Sequence, residues 1–537
     1  MKKKSYLFQS ICFFISFNVP KIISAKEMGL DDKINEAFTP IANWWGSVVL
    51  HNFPGTSIPT IILLLVGGAL FFTVYFSFVN IRRIPLALNT VRGKYDKLDH
   101  QTVKDLNITI GSEGKKGKEI KQGEVSHFQA LATAVSGTVG NGNIAGVALA
   151  IAVGGPGATF WMILCGLLGM STKFVECTLG VKYRDVGEDG TIYGGPMYYL
   201  TKGFKERGFS KFGKILGVIF AVLCIGASFG GGNAAQSNQA AMQLVNSFGL
   251  TGGSARTIIG IVIMIFVGII IIGGIKRIAS VTEKIVPFMA LTYLIACLYI
   301  IILNFNFVDD AFGMIFKQAF NPQAGLGGFL GVLITGFRRA AFSNEAGAGS
   351  ASIAHSAVRT KYAASEGLVA LLEPFIDTVI ICTMTALVII IFNGDSNIFE
   401  YGGVGGKVII NGVIVEGAGI TSAAFSKYIS FAGPFLTIAV VLFAVSTMIS
   451  WSYYGLQSWM FLFGKSKIAN LSYKILFLIF IVIGAAGDMS AVWTFSDAMI
   501  LALVFPNMIG LFLLYPKVKE ELFNYISAIK GLSFNKE

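Results

Sequence analysis

The sequence predicts an all-α polytopic membrane protein with about eleven transmembrane helices. Three observations lead there. The 537 residues are 54% hydrophobic and 13% charged, whereas soluble domains carry roughly 25% charge. The apolar residues are spread along the whole chain, in stretches long enough to cross a bilayer. Basic residues gather in every second connection between those stretches, as the positive-inside rule requires. That placement accounts for the net charge of +12 without a nucleic-acid partner. The cysteines (Cys12, Cys165, Cys177, Cys224, Cys297 and Cys382) lie mostly in or beside apolar segments with no metal spacing, so neither a disulfide framework nor a zinc site is read.

Taken in order, residues 1–25 read as a secretory signal: Lys2 to Lys4 are basic, Tyr6 to Val19 apolar, and Ile23-Ser-Ala25 offers a small-residue cleavage site. A retained signal anchor is the other reading. Residues 26–56 follow as an extracytoplasmic segment whose Trp44-Trp45 pair suits an interface. The first full span is 57–80, and a basic cytoplasmic loop, 81–126, comes after it. Further spans are read at 128–153, 155–173, 215–246, 255–274, 285–304, 326–352, 366–393, 429–455, 472–487 and 491–515. Lys173 is counted with the basic loop after the third span, together with Lys182, Arg184 and Lys202. Lys276, Arg277 and Lys284, then Arg359 and Lys361, then Lys465 and Lys467 mark later cytoplasmic connections. The opposite connections hold only Arg256, Lys317, Lys407 and Lys427 among several acids, so the topology is N-out and C-in, with 516–537 a cytoplasmic tail. Gly154-Gly-Pro-Gly157 is a tight turn, and the Gly-rich 394–427 loop carries an external hairpin.

Two of these spans are poor helices at their centres. Ser136-Gly-Thr-Val-Gly-Asn-Gly-Asn143 sets glycines and hydrogen-bonding side chains inside the second span, where they compete with the backbone ladder. Gly336-Phe-Arg-Arg-Ala-Ala-Phe-Ser-Asn-Glu-Ala-Gly-Ala-Gly-Ser350 places Arg338, Arg339 and Glu345 inside the seventh. Ionisable groups at that depth are paired or functional. The breaks stand five spans apart in opposite directions, so 127–305 and 326–515 read as inverted repeats, each opening with a broken helix. Such paired interruptions point to a secondary-transport site, where bare carbonyls and N–H groups hold a cation and a carboxylate. A small-residue packing face is the competing reading for the first break. For Arg338, Arg339 and Glu345 it is a structural ion-pair network. Glu373 and Asp377 share a helix face and are expected to pair with Arg338 or Arg339, with stabilising a cation or forming a proton path as the other reading. His127 reads as a lone surface histidine, with proton coupling as a minor possibility.

A family resemblance rests on motifs spread over about residues 57–515. Gly154-Gly-Pro-Gly-Ala-Thr-Phe-Trp-Met-Ile-Leu-Cys-Gly-Leu-Leu-Gly-Met170 resembles the signature of the alanine or glycine:cation symporters, although Ile163 stands where a second tryptophan is common. Gly137 to Val147, Gly194-Gly-Pro196, Phe342 to Ser350 and Trp451-Ser-Tyr-Tyr-Gly455 also look like family motifs. The resemblance implies the five-plus-five inverted-repeat fold of sodium-coupled amino-acid transporters, with one extra N-terminal span. It implies one cation site at the Thr138 carbonyl and Asn143, and another at the Ser136 and Val139 carbonyls with Ser446 and Thr447. Hydroxyl, amide and carbonyl oxygens suit Na⁺, a hard cation; ordinary helix back-bonding is the other reading of Ser446 and Thr447.

For a small zwitterion, the break at Gly140, Asn141, Gly142 and Asn143 offers N–H groups to the carboxylate. Gln236 resembles the family's substrate-contacting glutamine. Phe342 and Trp451 look like walls that restrict the pocket to a small side chain, or else pack as ordinary core. The expected function is therefore Na⁺-coupled symport of alanine or glycine across the cytoplasmic membrane, with no cofactor beyond the coupling ion and with the lipid bilayer as surroundings. Proton-coupled carriage of another small neutral amino acid is the alternative. A membrane enzyme or channel is a different class: the four histidines are scattered, no nucleophile–base constellation is assembled, and no filter motif repeats.

Overall fold

Glycine and asparagine at the centre of two apolar segments break what would otherwise be continuous helices, and the rest of the chain is wrapped around those breaks. The computed structural model describes residues 30–99, 123–187, 190–320, 328–394 and 397–534. The signal-like segment 1–25 and most of the charged stretch of the 81–126 loop lie outside the described residues. The first half comprises α1 (Leu30–Val49), α2 (Thr60–Tyr75), α3 (His127–Thr138), α4 (Gly142–Gly154), α5 (Gly157–Lys182), α6 (Pro196–Glu206), α7 (Ser210–Phe248), α8 (Ala255–Ile271), α9 (Gly274–Leu303) and α10 (Val308–Phe320). The second comprises α11 (Gly328–Asn344), α12 (Ala351–His355), α13 (Ala363–Gly394), α14 (Ala418–Tyr428), α15 (Ala432–Phe463), α16 (Lys467–Ala486), α17 (Met489–Ala502) and α18 (Val504–Phe534).

Among the described residues, seven helical stretches are long and apolar enough to cross a membrane, or eight when α3 and α4 count as one bent span. The sequence expectation of about eleven also counts α2 and α8, which are apolar but only 16 and 17 residues long, and α11, whose interior arginines lower its apolar character. Two boundaries differ from expectation for a physical reason. α5 runs on to Lys182 because Lys173 and Glu176 are buried inside it rather than exposed in a loop. α18 continues through the expected 516–537 tail to Phe534, with Pro516 inside it.

α5 lies centrally, packed along α2, α10, α11 and α13. Its Gly157 approaches the Gln318 backbone so closely that a Cβ would lie 2.4 Å from it, and Gly155 at φ 68° makes the tight turn of Gly154-Gly-Pro-Gly157. The outer faces are apolar: Ile258, Val262, Ile265 and Ile269 on α8, and Phe288, Leu291, Ile295 and Ile302 on α9, are exposed at helical spacing. An apolar surface of that extent is lipid-facing. The hairpin expected in the 394–427 loop forms between Val408–Ile410 and Val413–Val415. Its Asn411-Gly412 turn has φ of 52° and 77°, the positive pair that a type I′ turn needs. α1 is amphipathic and lies against α17, with Ala42 and Gly46 buried.

α7 passes α16 backbone to backbone. A Cβ on Gly484 would fall 2.3 Å from the Ala234 Cα, beside the π-helical turn Gly230–Ala234. Gly484→Val is therefore expected to lower thermal stability of the purified protein by about 1–3 kcal/mol, the usual cost of overpacking. An unchanged melting curve in detergent would contradict that packing.

Candidate functional site

The first break follows from local chemistry. Ser126 and Gln129 form a capping box that starts α3, and the helix ends where Val139 turns to an extended ψ of 90°. α3 and α4 meet at 51°. The groups freed there are re-satisfied by side chains. Gly140 N–H donates to Asn143 Oδ1 at 2.8 Å, and Asn141 N–H to Gln236 Oε1 at 2.9 Å. The Thr447 hydroxyl reaches the Ser136 and Val139 carbonyls at 3.0 and 3.5 Å, while the Ser136 hydroxyl donates to the Ser446 carbonyl at 2.8 Å. Gly140 must be glycine, because a Cβ would lie 2.4 Å from Thr447 Oγ1 and 3.0 Å from Gln236 Oε1. The Ser446 hydroxyl itself back-bonds to Phe443 at 3.0 Å.

A second oxygen cluster surrounds Asn143. Its Nδ2 lies 2.6 Å from Asp377 Oδ1 and 3.2 Å from Ser343 Oγ, and Ser343 donates to Asp377 Oδ2 at 2.8 Å. Thr378 donates to the same carboxylate at 2.7 Å. The Gly140 N–H fixes the other end of the Asn143 amide as its oxygen. Thr138 turns its hydroxyl back to Ala134 and Val135 at 3.3 Å; the atom expected to face a cation there is its carbonyl oxygen. The structure thus groups Asn143 with Ser343 and Asp377. Ser343 carried no sequence signal beyond its place in the second interrupted span.

The second break runs from Glu345 to Ser350, with Glu345 (φ 56°), Gly347 and Gly349 at positive φ. Here a carboxylate replaces the amides: Gly347 N–H donates to Glu176 Oε1 at 2.9 Å, and Asn507 Nδ2 bridges Glu176 and the Gly347 carbonyl at 2.8 Å each. Glu345 accepts from Trp451 Nε1 at 2.9 Å and from Ser350. Trp451 is 1% exposed and lies over Gly232, where a Cβ would meet its ring at 2.1 Å. Phe342 packs against Trp493 with ring centroids 4.9 Å apart and planes tilted by 34°, and borders Gly142 and Gly231. Gln236 and Phe342 touch the first break, and with Trp451 they surround the Gly231–Gly232 turn of α7.

The charges are partnered differently from expectation. Arg338 and Arg339 both pair with Asp497 of α17, at 2.7 Å for Arg338, and neither pairs with Glu373 or Asp377. Glu373 pairs instead with Lys173 at 3.0 Å, both side chains fully buried. His127 is no surface histidine: it is 5% exposed and bonds Glu366, which also accepts from His355 Nδ1 at 2.5 Å. His355 Nε2 lies 3.6 Å from Glu373, closing a chain that ties α3, α5, α12 and α13 together. A signal was present, since Glu366, Glu373 and Asp377 are seven and four residues apart on one helix face. Beside this chain Arg184 donates to the carbonyls of Ser356, Val358 and Thr360, beyond the end of α12. Burial draws its guanidinium down to about 10, still charged at neutral pH.

Broken helices lined by buried amides, hydroxyls and carboxylates, inside an apolar shell, define a multi-pass membrane protein with internal polar sites. The model of the sodium:alanine symporter family matches residues 47–535, and the chain belongs to that family. It is 39% identical over 464 residues to the sodium/alanine symporter AgcS of Methanococcus maripaludis, covering 86% of this chain and 93% of that one. It is 33% identical over 468 residues to the protein named "Probable sodium/glutamine symporter GlnT" of Bacillus subtilis, covering 87% of each. The crystal structure of MhsT with L-phenylalanine aligns at a TM-score of 0.47 and 15% identity, covering 75% of this chain and all of that one. The chain is accordingly a sodium-coupled amino-acid symporter and not an enzyme.

Removing one member of a buried ion pair strands the other charge, at about 3–5 kcal/mol. Glu373→Gln should therefore lower stability by that order. The double variant Lys173→Met/Glu373→Leu should recover most of the loss in thermal unfolding of the purified protein. A single variant as stable as the parent would show that Lys173 does not depend on Glu373.

Proposed function

We propose that this protein takes up alanine or glycine with Na⁺, in the N-out, C-in orientation, across the cytoplasmic membrane by alternating access. The span count is then eleven when α2, α8 and the broken α11–α12 are included. α3 to α9 and α11 to α18 are the inverted halves. The observation that carries the reading is the contact between Gln236 and the first break: its Oε1 sits on the Asn141 N–H at 2.9 Å, the place a substrate carboxylate would take. Gln236 acts as a placeholder that swings aside for the carboxylate and then binds it. Two oxygen clusters flank that point. The Ser136 and Val139 carbonyls with Thr447 form one, and Ser343 and Asp377 the other, which Asn143 joins when its Oδ1 turns from the Gly140 N–H to the ion; both offer the oxygen ligands that Na⁺ prefers.

Substrate size follows from the walls. Trp451 already fills the space over Gly232, and Phe342 closes over Gly142 and Gly231. A methyl group or hydrogen fits where the glutamine side chain would have to displace an aromatic ring. Steric exclusion of that kind gives selectivity without a dedicated polar contact.

Radiolabelled alanine uptake into proteoliposomes, with Na⁺ and proton gradients imposed separately, tests this reading. Accumulation should follow the Na⁺ gradient, and excess unlabelled glutamine should not compete. Asn143→Ala should weaken sodium activation roughly tenfold, the effect of losing one charge-assisted contact, with less effect on expression. Accumulation driven by protons alone, or unaltered sodium activation in Asn143→Ala, would refute it.

A further inference from the structure

A basic cavity that uptake itself does not use lies at the end of α2, against α18. Its volume is about 630 Å³, and Tyr75, Arg82, Arg83, Lys519 and Leu522 are among its lining residues. That is ample for a headgroup-sized ligand. α2 ends at Tyr75, and Ser77 and Phe78 follow at φ of 52° and 58°. This left-handed pair turns the chain into the short helix Val79–Arg82, so both arginines line the same cavity as the end of α2. From α18, the Lys519 ammonium lies 5.1 Å from the centre of the Tyr75 ring. The acids beside Lys519 are engaged elsewhere, Glu520 with Lys517 at 3.2 Å and Glu521 with Lys182 at 2.6 Å. Among the described residues, no ion pair forms at Arg82, Arg83 or Lys519. Three cations thus face one cavity, and its complement is an anion.

The surroundings say which kind of anion. Tyr75 and Tyr515 pack edge to face at 4.5 Å, and Phe71 joins them at 5.3 Å from Tyr515. Aromatic rings of this sort collect at the level of lipid headgroups, and Lys519 stands one helical turn beyond Tyr515. In the other direction, Leu63, Leu70 and Val74 form an exposed apolar strip at helical spacing along α2, ending beside the cavity. A free anion would leave that strip unused. A zwitterionic lipid would bring its own ammonium up to three cations. A phospholipid with a net negative headgroup fits both the cavity and the strip.

We propose that this cavity binds the phosphate of an anionic phospholipid in the cytoplasmic leaflet. Only the choice of leaflet rests on the N-out, C-in orientation above. The phosphate oxygens accept from the Arg82 and Arg83 guanidiniums and from the Lys519 ammonium, charge-assisted bonds for which the guanidinium fork is well shaped. The acyl chains lie along Leu70 and Val74. Because the cations come from both sides, the lipid ties α2 to α18. α2 is otherwise held to α5, by Thr73 with Ser171 at 3.0 Å and by Asn80 Nδ2 with the Leu167 carbonyl at 2.7 Å.

Titration of the delipidated, full-length protein with dioleoyl phosphatidylglycerol in detergent, read by native mass spectrometry and thermal unfolding, tests this. Saturable binding and a raised melting temperature are expected, with dioleoyl phosphatidylethanolamine roughly tenfold weaker. That comparison on the parent chain needs no variant to fold. Arg82→Gln/Arg83→Gln/Lys519→Gln should weaken phosphatidylglycerol binding roughly a hundredfold, as for three cations at a headgroup surface. Arg82→Lys/Arg83→Lys should keep most of the affinity. Lys211→Gln/Lys214→Gln/Lys467→Gln removes as many exposed cations elsewhere and should keep all of it. Phosphatidylethanolamine binding as tightly as phosphatidylglycerol, or equal losses in the two triple variants, would overturn the site. Displacement of the lipid by inorganic phosphate would overturn the lipid assignment in favour of a free anion. The binding requires neither Na⁺ nor alanine, so its failure leaves sodium-driven uptake standing, and failure of uptake leaves the lipid site standing.

Discussion

Peptide groups freed inside an apolar core must find partners within the protein, and everything distinctive about this chain follows from how its two helix breaks meet that demand. Water is not available at that depth to complete an orphaned N–H or carbonyl. At the first break the partners are neutral: Asn143, Gln236 and Thr447 supply amide and hydroxyl groups. At the second, Glu176 and Asn507 hold Gly347 from both sides. Neutral partners can be exchanged for a ligand at small cost. A buried carboxylate cannot leave without stranding charge. The first break is thus suited to binding, and the second to holding shape.

The ionic groups divide along the same lines. Lys173, Glu373, His355, Glu366 and His127 form one connected chain across four helices. It fixes the α12 half of the second broken helix against α3, α5 and α13. Arg338, Arg339 and Asp497 form a separate cluster midway along α11, partly open and unbalanced in charge. Under the proposed uptake reading, motion that exposes the first break to one side or the other must leave the first set assembled, or break it as a unit. The second set joins only α11 to α17, so it can part locally.

Much of this was legible in the residues. Gly137 to Asn143 and Glu345 to Ser350 announced their breaks by composition, and the helix breaks at 139–141 and at 345–350. The hairpin in the 394–427 loop was expected from its glycines and alternating Val and Ile, but not its position at Val408–Val415. Partner choice was not legible, because pairs such as Arg339 with Asp497 and His127 with Glu366 are separated by 158 and 239 residues. Lys173 misled for a related reason: a lysine near the end of an apolar run looks like an interfacial anchor until Glu373 is seen beside it. Periodicity records which face of a helix is buried. It does not record which other helix that face meets.

The central claim is that carbonyls released by the first break, together with Thr447, hold a sodium ion. Equilibrium binding of radioactive sodium to the purified protein addresses it most directly, comparing the parent chain with a monodisperse Thr447→Val variant. The account predicts fewer sodium ions bound per chain at saturation in the variant. An isotherm superimposable on the parent's would contradict it.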